Sequence, residues 1–157
     1  MGPVESALER LGIKLPAAPK PVAAYVPFTK SSGGPQVFVS GQLPFRDGKL
    51  TCTGPVPSAA SVEQATEAAR QCAINALAVL RDACEEDLGR VERILRIGVF
   101  VQSDGGFEGQ PKVANGASEL LTAIFGEAGK HARAAVGTNT LPLNATVELE
   151  LVAELKD

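Results

Sequence analysis

Val147-Glu148-Leu149-Glu150-Leu151-Val152-Ala153-Glu154-Leu155 alternates apolar and mostly acidic residues along its whole length. Successive side chains of a strand point to opposite sides, so this pattern predicts a strand with one dry face made of the odd-numbered residues. Glu148, Glu150, Val152 and Glu154 then face elsewhere. Shortly before it stands His131-Ala132-Arg133-Ala134-Ala135-Val136-Gly137, followed by Leu141-Pro142. The two segments read as a closing hairpin, residues 132–138 against about 144–155. That register sets Arg133 roughly opposite Glu148. A lone permanent cation among Ala, Val and Gly adds no packing volume. It must meet an anion, from the protein or from a ligand.

Upstream, Ser61 with Gln64 fits a capping box. Cys72, Ala76, Val79, Leu80 and Ala83 recur at helical spacing, which predicts a helix from Ser61 to about Glu86. Ile94 to Val101 reads as a strand. A second helix starts near Pro111, carries Val113, Ala117, Leu120, Leu121, Ile124 and Phe125 on one stripe, and ends at Gly126 and Gly129. Val22 to Phe28 and Gln36 to Ser40 read as a hairpin around the Lys30–Pro35 turn. Arg46-Asp47-Gly48-Lys49 is a further turn, leading into a weak strand over Leu50 to Thr53. At the start, Val4 to Gly12 is a short helix and Leu15 to Pro21 a proline-rich extended arm.

Strands in runs with two helices predict an α+β fold, one sheet with both helices on one face. Val37-Phe38-Val39 and Val99-Phe100-Val101, however, are apolar on both faces. Helices on one side leave the other bare, so self-association through the open face is expected.

The chain has 157 residues, 45% hydrophobic and 21% charged, which fits one globular domain. A net charge of −3 without a Lys/Arg cluster argues against nucleic acid as partner. No long uncharged apolar run suggests a membrane span. Met1-Gly2-Pro3-Val4-Glu5 carries neither a basic nor an apolar leader pattern. Three widely spaced cysteines, Cys52, Cys72 and Cys84, suit neither a disulfide framework nor a zinc site. A reducing, cytoplasmic setting is therefore expected.

Arg133 is the strongest candidate for chemistry, since a guanidinium fork takes a carboxylate through two parallel hydrogen bonds. A cross-strand ion pair with Glu148 would explain the same residue without a ligand. Glu148 in an apolar, subunit-covered site would have a raised pKa and could handle protons; on an open face it would be a solvated strand glutamate. His131, the single histidine, is either catalytic or a hydrogen-bonded structural group, and alone it cannot found a zinc site. Tyr25, Ser40 beside Gly41, and Asn115 are further candidates, each also explicable by packing or capping.

Together, Ala24-Tyr25-Val26, Val39-Ser40-Gly41-Gln42-Leu43-Pro44, Val99-Phe100-Val101, Asn115, Arg133-Ala134-Ala135-Val136, Leu141-Pro142 and Val147-Glu148-Leu149-Glu150 resemble the RidA/YjgF family. Its members have also been labelled L-PSP endoribonucleases or translation inhibitors. The resemblance covers about residues 21–155, and the His-Ala-Arg-x-Ala-Val-Gly form looks like a divergent branch. Residues 1–20 are thus read as an N-terminal helix and arm, and 21–157 as the RidA/YjgF-like domain. The resemblance implies a chorismate-mutase-like fold and a homotrimer with ligand clefts between subunits. It implies hydrolytic deamination of reactive 2-imino acids or enamines to 2-keto acids and ammonia, with no metal or organic cofactor. Arg133 would hold the substrate carboxylate, Tyr25, Ser40, Asn115 and Ala135 would line the cleft, and Glu148 would position or activate water. Two positions depart from the best-studied branch. Ala135 stands where that branch has a cysteine, whose main-chain carbonyl matters more than its thiol. Gly137 stands where it has an acidic residue, and is expected to open space. A non-catalytic trimer binding small carboxylates or partner proteins, and a nuclease or translation inhibitor, are the competing readings. The acidic balance counts against the last.

Overall fold

The computed structural model describes residues 1–20 and 24–156. In chain order the elements are α1 (Pro3–Arg10), β1 (Phe28–Lys30), β2 (Gln36–Gln42), β3 (Phe45–Arg46), β4 (Lys49–Leu50), α2 (Val62–Ala83), β5 (Val91–Gln102), α3 (Gln110–Phe125), β6 (Ala132–Thr138) and β7 (Val147–Leu155). Five strands form one sheet in the order β1-β2-β7-β5-β6, and β3-β4 make a small separate hairpin. The α+β class with helices on one sheet face is as expected: α2 packs over β2 and β7, α3 over β5 and β6.

The alternation in β7 does what its sequence dictates. Val147, Leu149, Leu151, Ala153 and Leu155 are all buried, while the residues between them are only half-buried. Val37, Val39, Ile97, Val99 and Val101 join them beneath the helices. Ser61 caps α2 as expected: its hydroxyl accepts from the Gln64 N–H, and the Gln64 side chain accepts from the Ser61 N–H. The helix ends at Ala83, because Glu85 and Glu86 take positive φ. Gly126, at φ +60°, stops α3. Cys72 and Cys84 are buried and Cys52 is half-buried; all are free thiols. Burial pushes the Cys84 thiol up to about 11 and raises Cys72 well above the ordinary value.

Three elements differ from expectation. The weak strand at Leu50–Thr53 is instead the two-residue β4, paired with β3 around Asp47-Gly48. The first strand reduces to Phe28–Lys30, and part of its expected span, Val22–Ala23, lies outside the described residues. The closing hairpin does not exist. β6 runs parallel to β5 as an edge strand, and β7 runs antiparallel to β5 on its other side. The reason is the crossover: β5-α3-β6 is a strand–helix–strand unit, and α3 carries the chain back so that β6 starts at the same end as β5. β7 then closes the gap between β5 and β2, where each of its backbone edges finds a partner.

The two long helices approach closely at Gly116, where a Cβ would run into the backbone carbonyl of Thr66 in α2. Gly116→Ala should therefore destabilise the protein by about 1–3 kcal/mol, the usual cost of overpacking a tight contact. In an open helix position the same change would stabilise by about 1 kcal/mol. The sign of the shift in the denaturant midpoint distinguishes the two, with an increase arguing against a backbone-limited helix contact.

Candidate functional site

Arg133 lies on β6 level with Ile97 of β5, on the side of the sheet that the helices cover. Being on an edge strand, it stays exposed while its head turns towards α3. Its Nη1 donates to Asn115 Oδ1 at 2.8 Å and to Ser118 Oγ at 3.1 Å. Asn115 and Ser118 are three positions apart and so stand one above the other on the helix. Ser118 Oγ is also 2.9 Å from His131 Nε2, and His131 Nδ1 is 2.6 Å from the Gly129 carbonyl oxygen. Ala135, on the same face as Arg133, is half-buried against the core.

Tyr25, Ser40 and Glu148 sit elsewhere. β1 and β2 form the sheet edge opposite β6. There Tyr25 is 62% exposed and the Ser40 hydroxyl donates to the Val26 carbonyl at 2.6 Å. Both line a cleft of about 970 Å³ between the strand edge, the arm around Leu11–Lys20, and Arg70, Gln71, Ile74 and Asn75 of α2. Arg46 donates through Nε and Nη2 to Gln71 Oε1, and Asn75 Nδ2 holds the carbonyls of Leu43 and Phe45, which fixes the loop after β2 on α2.

The register between β2 and β7 slips between Val39 and Gln42, so Ser40-Gly41 forms a bulge. The Glu148 carboxylate occupies the space a Cβ at 41 would need, so a side chain there would displace the carboxylate. Glu148 points to the face without helices, and burial there, with a smaller push from Glu150, raises its carboxyl above the ordinary value.

The expected meeting of Arg133 and Glu148 therefore does not occur within the chain. Glu148 stands beside Phe100, whose other neighbour is Val136, and the two charged groups are on opposite faces of the sheet. Among the described residues no carboxylate pairs with Arg133; Arg96 takes Glu150 at 3.0 Å instead. Thus the structural ion pair weighed for Arg133 is absent. His131 is held by hydrogen bonds at both ring nitrogens. Gly137 does not open space: a Cβ there would come within 2.8 Å of Gln110 Nε2 and 3.2 Å of Ser103 Oγ. Sequence reasoning missed Ser118, although its spacing from Asn115 on a helix preceding the Arg133 strand was the available signal.

Residues 5–155 match the model of the family described as "YjgF/chorismate_mutase-like, putative endoribonuclease". The chain belongs to this family. Protein TCP17 of Trypanosoma cruzi is 44% identical over 157 residues, 99% of this chain and 96% of that protein. Atu1372 of Agrobacterium tumefaciens, a solved structure described as of unknown function, is 44% identical with a TM-score of 0.91, covering 98% of this chain and 93% of that one. A Shewanella oneidensis structure described as a "putative endoribonuclease" is 35% identical, also with a TM-score of 0.91, covering 97% and 99%. In this YjgF-family chain, no helix among the described residues is long and apolar enough to cross a membrane.

Proposed function

We propose that this YjgF-family protein hydrolyses reactive 2-imino acids, or their enamine tautomers, to 2-keto acids and ammonia in a cleft between subunits of a homotrimer. The observation that carries the reading is the partition of the candidate residues. Arg133, Asn115 and Ala135 belong to the β6 edge, and Tyr25 and Ser40 to the β1-β2 edge. From β2 to β6 is three strand spacings, roughly 14 Å, too far for one small substrate to touch both. A second copy placing its β1-β2 side against the β6 edge of the first would bring the two halves together. The open face supplies the apolar surface for such contact: Phe38 and Val136 are each 46% exposed there.

The chemistry needs orientation, one water and a proton carrier. Arg133 takes the substrate carboxylate. Asn115 Oδ1 already accepts from Arg133, which leaves its amide N–H₂ to donate into the cleft. Glu148 of the neighbouring copy accepts a proton from the attacking water as oxygen bonds to the imine carbon. It passes that proton to nitrogen to give the carbinolamine, then carries the hydroxyl proton to nitrogen as the carbonyl forms, the C–N bond breaks and ammonia leaves. A carboxyl with raised pKa suits both steps near neutral pH. Tyr25, Ser40 and the Ala135 main chain enclose the substrate.

The test generates 2-iminobutanoate in situ with threonine dehydratase and follows formation of 2-oxobutanoate. Faster release with this protein present is expected, together with a trimer in sedimentation. A stable monomer at micromolar concentration sinks the shared cleft. A trimer that binds 2-oxobutanoate without accelerating release would be a carboxylate-binding protein instead.

A further inference from the structure

We infer that Ser118 and His131 are positioning residues that set which edge of the Arg133 guanidinium a carboxylate can take. The Gly129 carbonyl oxygen can only accept, and it lies 2.6 Å from His131 Nδ1, so Nδ1 carries the proton. A neutral ring then has its lone pair on Nε2, 2.9 Å from Ser118 Oγ. The Ser118 hydroxyl must donate to that nitrogen. Its oxygen is thereby left with lone pairs only towards Arg133, whose Nη1 donates at 3.1 Å. The histidine tautomer thus turns a group that could donate or accept into a fixed acceptor.

The consequence is arithmetic on one nitrogen. Nη1 carries two hydrogens. One goes to Asn115 Oδ1 and the other to Ser118 Oγ, so Nη1 is fully used. Nε and Nη2 of Arg133 have no partner among the described residues. A carboxylate seeking two parallel hydrogen bonds therefore takes the Nε–Nη2 edge, side-on, and the end-on Nη1–Nη2 edge is closed to it. Loss of Ser118 leaves one Nη1 hydrogen without its acceptor, loss of His131 leaves the Ser118 hydroxyl free to turn, and either lets the guanidinium rotate about its Asn115 contact. This consequence rests on the proposed role of Arg133 in holding a carboxylate; the hydrogen-bond chain itself does not.

His131 is the only histidine, so a ¹⁵N-labelled sample gives one imidazole pattern. With the ring neutral, long-range ¹H–¹⁵N spectra should show the Nδ1–H tautomer; the Nε2–H tautomer overturns the inference. The second arm measures 2-oxobutanoate affinity by calorimetry. Ser118→Ala should weaken it roughly tenfold, the worth of one hydrogen bond to a charged group. Ser118→Thr, which keeps the hydroxyl, should recover most of that loss. His131→Phe, which keeps the ring volume, should cost a similar factor, and adding it to Ser118→Ala should cost little more, because both break one chain. Additive losses, or wild-type affinity in Ser118→Ala while Arg133→Ala loses binding, overturn the positioning role. Wild-type affinity in Arg133→Ala instead removes the carboxylate reading, and the tautomer result then still decides the hydrogen-bond chain.

Discussion

Arg133→Ala is expected to weaken binding of 2-oxobutanoate by roughly 10²–10⁴-fold, since two charge-assisted hydrogen bonds of about 1.5–3 kcal/mol each are lost together. Turnover of 2-iminobutanoate should fall with it. The fold should survive: Arg133 is exposed on an edge strand, and its partners Asn115 and Ser118 are not deeply buried, so the melting midpoint should move little. Arg133→Lys should restore only a small part of the affinity. An ammonium is a point charge and cannot hold Asn115, Ser118 and both carboxylate oxygens at once. Calorimetry on the two variants, with sedimentation to show that assembly is intact, decides the matter. A Lys variant with wild-type affinity would falsify the fork.

Glu148→Gln should lower turnover by roughly 10²–10⁴-fold, the usual range for a general acid–base group, while 2-oxobutanoate affinity stays near wild type. The same variant carries a stability signature with a definite sign. Burial raises the Glu148 carboxyl above its ordinary 4.5, so folding favours the protonated form. The stabilising contribution of that proton is complete below the ordinary value and is lost as pH rises through the raised one. At neutral pH the native protein therefore holds a carboxylate that its surroundings disfavour. Glutamine removes that charge at every pH. The variant should melt above wild type at pH 7, and the gap should close as pH falls towards 4.5. Lower stability at neutral pH with unchanged turnover would remove Glu148 from the reaction and leave it a purely structural group. Such an outcome would shift attention to the main chain near Ala135.

The sequence alone determined the long helices and strands and their faces. In β7 the period of two placed Leu149 and Leu151 under the helices because a strand has no other way to bury one row of side chains. Ser61 and Gln64 marked the start of α2 because an orphan N–H at a helix end needs a side-chain acceptor. The apolar runs around Phe38 and Phe100 placed apolar side chains on the face that no helix covers, and Phe38 is 46% exposed there. The residues that carry the family resemblance were also legible, since short motifs such as Ser40-Gly41 and Arg133-Ala134-Ala135-Val136 are local. Strand neighbours beyond the β1-β2 hairpin were not. A segment such as 132–138 satisfies its backbone equally well beside β5 or β7, and only the path of α3 across the sheet selects β5. That one choice separates Arg133 from Glu148, places them on opposite faces and gives Arg133 the polar groups of α3 as partners. The space beside Gly137 was invisible for the same reason: the Gln110 amide that fills it comes from another element. Periodicity is a property of the chain, whereas adjacency between elements is a property of packing, and the candidate site is made of adjacencies.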